Sequence, residues 1–168
     1  SFYEFLDPQS LYKHMDLFSS FDKPLHVTEV TVPAYSNSAE DEQLQAEIIT
    51  NLYRIWFSHK NVEQIIYWNL VDGYAAFAPQ GDMTSGENYY YGGLMRFDMT
   101  PKPAYHAIKN LIEKEWHTEE KLVSSSDGKA EFKGFYGKYD VQIKIGSKTI
   151  NKTIRLQSKA GNKFTLEI

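Results

Sequence analysis

No cysteine occurs among the 168 residues, so neither a disulfide scaffold nor a thiolate metal site is open to this chain. No apolar run approaches the about 20 residues that cross a bilayer, so a membrane-spanning segment is not expected. No secretory signal is present, and the chain opens on Ser1 rather than Met, as a processed or trimmed product would. The histidines offer no paired metal-ligand spacing of the H-E-x-x-H kind: His14, His59, His106 and His117 lie on or beside helical stretches, and His26 opens a strand. There is no phosphate loop, no dinucleotide fingerprint and no serine nucleophile elbow.

Positive charge is scarce in the front of the chain. Residues 1–118 carry eight Lys or Arg against sixteen Asp or Glu, a balance of −8. That argues against nucleic acid as a partner, because phosphates call for Lys and Arg. From Glu119 to Ile168 the balance turns to +4, with ten against six, and the change of sign supports two units, 1–118 and 119–168. The lysines of the second unit are spread along strand-like runs, as on solvated faces and protected sheet edges. Aromatic residues, by contrast, are plentiful at 15%, with twelve tyrosines. Such rings serve cores, interfaces and sugar-stacking surfaces alike.

The order of elements reads as follows. Asp7-Pro8-Gln9 opens a helix that runs to Phe21, with Leu11, Met15 and Phe18 at helical spacing. Leu25 to Val32 is a β-rich run stopped by Pro33, with the apolar character of a strand buried on both faces. A helix over 39–58 presents Leu44, Ile48, Leu52, Ile55 and Trp56 on one face. Val62 to Leu70 reads as a second buried strand, followed by a glycine-rich loop to Gly93 and a last helix from Ala104 to Glu115 with Ile108, Leu111 and Ile112 inward. Helix, strand, helix, strand, helix is the alternation of parallel β/α units. Beyond Ser124-Ser125-Ser126-Asp127-Gly128 come four strand-like runs, 130–135, 139–145, 149–156 and 164–168, which predict a small antiparallel sheet or sandwich.

Several residues stand out chemically. Glu29 sits near the end of the first strand, where parallel β/α folds gather their active sites. It could be functional, or it could pair with a cation on a neighbouring strand. Trp68 ends the second strand and Asp72 begins its loop. A ring beside a carboxylate suits a pyranose, whose C–H face stacks while its hydroxyls need polar partners. A core tryptophan and a turn aspartate would look the same. The loop continues through Tyr74 and Phe77 to Tyr89-Tyr90-Tyr91. Loops of that length tend to be binding elements, and the tyrosines could equally line a groove or cover the end of a barrel.

Four motifs together resemble family 10 of the glycoside hydrolases, the endo-β-1,4-xylanases. Lys23 to Val32 is similar to the family's seventh-strand pattern (L/P)-P-I-x-(I/V)-T-E-L-D-I. Asn61 to Asp72 resembles the eighth-strand pattern V-x-x-I-T-x-W-G-x-x-D. Phe97-Asp98 and Pro101-Lys102-Pro103-Ala104-Tyr105 resemble L-F-D … P-K-P-A-Y, and Gln45-Ala46 matches the Q-A of the intervening helix. The resemblance spans roughly Asp7 to Trp116. It implies an α/β fold comprising the C-terminal portion of a (β/α)8 barrel, about strands seven and eight with their helices, followed by the small antiparallel β module.

By that resemblance Glu29 is the catalytic nucleophile and Trp68 the floor of the sugar site; Asp72, Tyr74 and Phe77 beside it are read as further substrate-binding residues. No metal and no organic cofactor are implied. A retaining glycosidase uses two carboxyl groups roughly 5–5.5 Å apart. The family's acid/base glutamate belongs to a W-D-x-x-N-E motif on an earlier strand, which this chain lacks. A full barrel needs about 250 residues. The chain alone is therefore expected to be inactive, its parent acting on xylan or xylo-oligosaccharide in an extracellular or periplasmic setting. The expected macromolecular partner is the N-terminal remainder of the barrel or a second copy. The alternative is a carbohydrate-binding or interaction fragment without catalysis. Three positions depart from the family: Thr31 replaces its Asp, Asn69 its Gly, and Ala76, beside Phe77, falls where a second aromatic is expected.

Overall fold

The computed structural model describes residues 7–157 and 161–167. Phe2-Tyr3, where the resemblance would put at most a remnant of the sixth strand, and the last residue of the 164–168 run lie outside them. The chain divides into two compact units, Ser1–Ile112 and Glu113–Ile168.

In the first unit, α1 (Pro8–Ser19) starts where its sequence places it. Asp7 caps it, its Oδ2 accepting from the Ser10 amide at 2.8 Å, and Pro8 occupies the first turn, where its missing N–H costs nothing. The chain then turns through Asp22 at φ 54° and enters β1 (Leu25–Val30). Helix α2 (Ala39–Ser58) is capped by Ser38, whose Oγ accepts from the Asp41 amide at 3.1 Å. Glu40, Asp41 and Glu42 in its first turn complement the positive end of the helix dipole. Strand β2 (Val62–Tyr67) follows, then a loop containing a single 3₁₀ segment, Gly86–Tyr90, then α3 (Pro103–Asn110), which continues as a π-turn over Leu111–Glu115.

β1 and β2 pair in parallel, with Leu25 opposite Val62, Val27 opposite Ile65 and Val30 opposite Tyr67. The expected burial of β1 on both faces is not met. His26, Thr28 and Glu29 are exposed, Leu25 and Val27 are half-buried, and only Val30 is buried. The reason is physical: a strand is covered on both faces only when both its edges and both its faces have neighbours, and among the described residues β1 pairs with β2 alone.

Helix α2 presents the expected face only in part: Trp56 is buried and Ile48, Leu52 and Ile55 are half-buried, but the buried side is centred elsewhere. Glu42, Gln45, Ala46, Ile49, Tyr53 and Trp56 are buried, whereas Leu44 is exposed. Two polar residues decide the rotation. Glu42 holds Arg96 through two of its three guanidinium nitrogens, Nε to Oε1 at 2.8 Å and Nη2 to Oε2. Gln45 is completely buried, its amide nitrogen donating to the carbonyls of Val32 at 2.7 Å, Gly93 at 3.3 Å and Tyr91 at 3.4 Å. In α3 the inward side likewise differs in part: Leu111 is buried, but Ile112 is exposed.

Among its described residues the second unit contains one hairpin, β3 (Gly137–Ile145) with β4 (Lys148–Leu156), paired antiparallel without a bulge. One face gathers Tyr139, Ile143, Ile150 and Ile154, and the other carries Lys138, Asp140, Gln142 and Arg155. Of the four expected strands, 130–135 and the described part of 164–168 form no ladder. The first is held by side chains instead: Phe132 meets the Tyr139 ring edge-on at 5.3 Å, and the Tyr139 hydroxyl donates to the Phe135 carbonyl at 2.7 Å. Strand composition is no substitute for a free edge to pair with.

Candidate functional site

Parallel pairing brings the carboxyl ends of β1 and β2 to the same end of the sheet. Glu29 is the penultimate residue of β1, and Trp68 follows the last residue of β2. The two segments remain joined past the ladder. The Trp68 amide donates to the Val30 carbonyl at 2.7 Å, and Thr31 Oγ1 donates to the Trp68 carbonyl at 3.3 Å. Glu29 and Trp68 therefore leave neighbouring strands side by side. Glu29 is exposed, and no hydrogen bond or ion pair engages its carboxylate among the described residues.

Trp68 is 41% exposed, so part of its ring faces solvent. Its indole Nε1 donates to Glu87 Oε2 at 3.0 Å, and Asn69 Nδ2 donates to the same oxygen at 2.9 Å. Asn69 adopts a left-handed conformation, φ 65°, which asparagine tolerates better than most residues. Tyr67, one position earlier, points its hydroxyl the other way, into the protein. It donates to the Gly92 carbonyl at 2.8 Å and accepts from the Val32 amide at 3.2 Å. Burial pushes its phenol pKa well above the ordinary tyrosine value.

Asp72 occupies an interior position. Its Oδ1 accepts from the Gly93 amide at 2.7 Å and its Oδ2 from Lys102 Nζ at 3.1 Å. Lys102 has no exposed surface and also donates to the Tyr91 carbonyl at 2.8 Å. Burial draws its pKa down while the Asp72 carboxylate draws it back up. Both Asp72 oxygens are thus engaged in fixing the loop to the start of α3. Tyr74 is half-exposed and stacks on Phe97, centroids 5.4 Å apart and planes 27° apart, with Gln80 Nε2 donating to its hydroxyl at 2.9 Å. Phe77 is fully exposed, on a left-handed backbone of φ 61°. Tyr89 and Tyr90 do not line the interior of the loop. They form an exposed edge-to-face cluster with Tyr35, at centroid distances of 6.0–6.5 Å.

Glu87 is the site residue that sequence reasoning passed over, because nothing in Ser85-Gly86-Glu87 marks it. The available signal was indirect: asparagine at position 69, where the family carries glycine. Among the described residues no group of three or more His, Asp or Glu could hold a metal ion, and no helix is long and apolar enough to cross a membrane.

Comparison with known proteins bears on the first unit most directly. The anti-sigma-I factor RsgI6 of Acetivibrio thermocellus is 26% identical over 152 residues, covering 88% of this chain and 17% of that protein. The crystal structure of xylanase 10B from Thermotoga petrophila RKU-1, in complex with xylobiose, superposes with a TM-score of 0.52 at 24% identity, covering 66% of this chain and 33% of the xylanase. The chain therefore spans about a sixth of the curated relative and a third of the solved xylanase, and its first unit has the fold of part of a (β/α)8 barrel. The sequence profile of glycosyl hydrolase family 10 matches residues 2–111, so the chain belongs to that family.

Proposed function

We propose that the first unit supplies the nucleophile and part of the sugar platform of a retaining endo-β-1,4-xylanase. The observation that carries this reading is the adjacency of Glu29 and Trp68 at the carboxyl end of two parallel strands, joined by the 2.7 Å bond from the Trp68 amide to Val30. A pyranose lying on the exposed part of the Trp68 ring would stand beside a carboxylate that no other described residue engages. In the retaining mechanism Glu29 attacks the anomeric carbon as the glycosidic bond breaks. A second carboxyl protonates the departing oxygen and then activates the water that releases the sugar from Glu29. That acid/base group comes from elsewhere in the barrel, supplied by the remainder of the protein or by a partner chain. Tyr74 and Phe77, exposed in the same loop, extend the platform. An extracellular or periplasmic home goes with a polymeric substrate.

A second reading is carbohydrate binding without hydrolysis. It is favoured by Thr31, which stands where the resemblance expects an aspartate and commits its hydroxyl to the Trp68 carbonyl.

One experiment separates the readings. Xylotriose binding and xylan hydrolysis are measured on the parent protein, with and without Glu29→Ala. The hydrolytic reading expects binding in both and hydrolysis reduced roughly 10³-fold or more in the variant. Full hydrolysis by Glu29→Ala would remove the nucleophile assignment. Binding by a wild type that never hydrolyses would establish the second reading.

A further inference from the structure

The carboxylate of Glu87 has an uncommon position for a surface glutamate. One of its oxygens takes two N–H donors from consecutive residues, the Trp68 indole at 3.0 Å and the Asn69 amide at 2.9 Å. An exposed indole is ordinarily free to rotate about its side-chain torsions. Here it is tied across 19 residues of sequence to a 3₁₀ segment. Charge-assisted bonds of this kind are shorter and stronger than neutral ones. The Asn69 side chain reaches Glu87 because its backbone is left-handed, φ 65°. The glycine-to-asparagine departure from the family thus keeps the backbone conformation that glycine adopts readily and adds a donor.

We propose that Glu87 and Asn69 form a clamp that sets the orientation of the Trp68 ring, making Glu87 a positioning residue for the sugar platform. With its N–H held by Glu87, the indole meets a sugar through its face and not through its polar edge. A pre-set ring loses less rotamer freedom when a ligand lies on it, and this raises affinity without a new contact. The inference rests on Trp68 being the sugar platform, but the clamp itself can be read without any sugar.

The test uses the whole 168-residue chain, which has three tryptophans and so three indole N–H resonances. Trp68→Phe identifies the resonance in question. In wild type that proton is expected to exchange with solvent at least about tenfold more slowly than a free indole N–H. Glu87→Ala should abolish the protection. Glu87→Gln, which keeps an acceptor, should restore much of it. Asn69→Gly, safe for folding at φ 65°, should weaken it partially by removing the second donor. Xylotriose titration of the parent protein should then show an affinity about tenfold lower in Glu87→Ala, with Glu87→Gln close to wild type. In a Trp68→Phe background, Glu87→Ala should cost less than about twofold, because the clamp acts through the indole. A Trp68 resonance indifferent to Glu87→Ala overturns the proposal, as does an undiminished affinity loss in the Trp68→Phe background. A protected resonance together with a parent protein that takes no xylotriose supports the clamp and overturns the functional reading above.

Discussion

Lys102 Nζ lies 3.1 Å from Asp72 Oδ2, and neither side chain is more than 6% exposed. This pair fixes the loop after β2 to the entry of α3. It explains a lysine that would otherwise be out of place in the interior, since a buried ammonium persists only when paired.

Breaking the pair from one side should therefore be costly. Lys102→Met leaves the Asp72 carboxylate buried with only the Gly93 amide, and a loss of about 3–5 kcal/mol is expected. The double variant Asp72→Asn with Lys102→Met should recover part of that loss. Urea unfolding followed by near-ultraviolet dichroism checks both.

Gln45→Leu keeps volume but leaves the carbonyls of Val32 and Gly93 without the amide that serves them, while that of Tyr91 keeps Lys102 Nζ. Each buried group left unsatisfied costs about 1–3 kcal/mol, and the sites share one donor, so a total near 3 kcal/mol is expected. Hydrogen exchange should rise in the loop around residues 91–93 before it rises in β2.

The pH dependence of Tyr67 has a definite sign. Its folded pKa is raised, first by burial, from the model-compound value of 10.0. The folded state then holds the phenolic proton where the unfolded state releases it. Stability from this group is complete below pH 10 and falls as pH climbs from 10 towards the higher folded value. Urea midpoints between pH 8 and 11 should decline less steeply in Tyr67→Phe, although that variant starts lower for want of the Gly92 bond.

Two neighbouring glycines should respond differently to a methyl group. A Cβ on Gly92 would lie 2.4 Å from Thr31 Cγ2, a side-chain atom, whereas one on Gly93 would lie 2.4 Å from the Asp72 backbone nitrogen. Gly92→Ala is expected to lose about 1–3 kcal/mol and to be rescued by Thr31→Ser, which removes that methyl and keeps the hydroxyl. Gly93→Ala has no such rescue. Thermal melts of the four variants, the double variant included, decide the matter.

Much of this architecture is written locally. Asp7-Pro8 announces a helix start because a short polar side chain meets the free amides of a first turn, whatever lies further away; Ser38 caps α2 by the same physics. The motif around Glu29 and the one ending in Trp68 point to adjacent parallel strands, and the two segments do lie side by side. The site's supporting contacts are less legible. Asp72 reads as a sugar ligand beside Trp68, yet its partners Gly93 and Lys102 lie 21 and 30 residues away. The inward face of α2 is misread in part from apolar spacing because Glu42 and Gln45, both polar, are buried by partners on a distant loop.

The sequence by itself determined the family, the alternation of helices and strands, and the places of Glu29 and Trp68, because strand periodicity, caps and motif spacing are properties of short stretches. Only the tertiary structure decided which polar groups serve one another: Lys102 with Asp72, Arg96 with Glu42, and Glu87 with the Trp68 indole. A hydrogen bond depends on distance and direction within a few tenths of an ångström. Residues 19 to 54 positions apart along the chain reach that precision only when the fold has placed them.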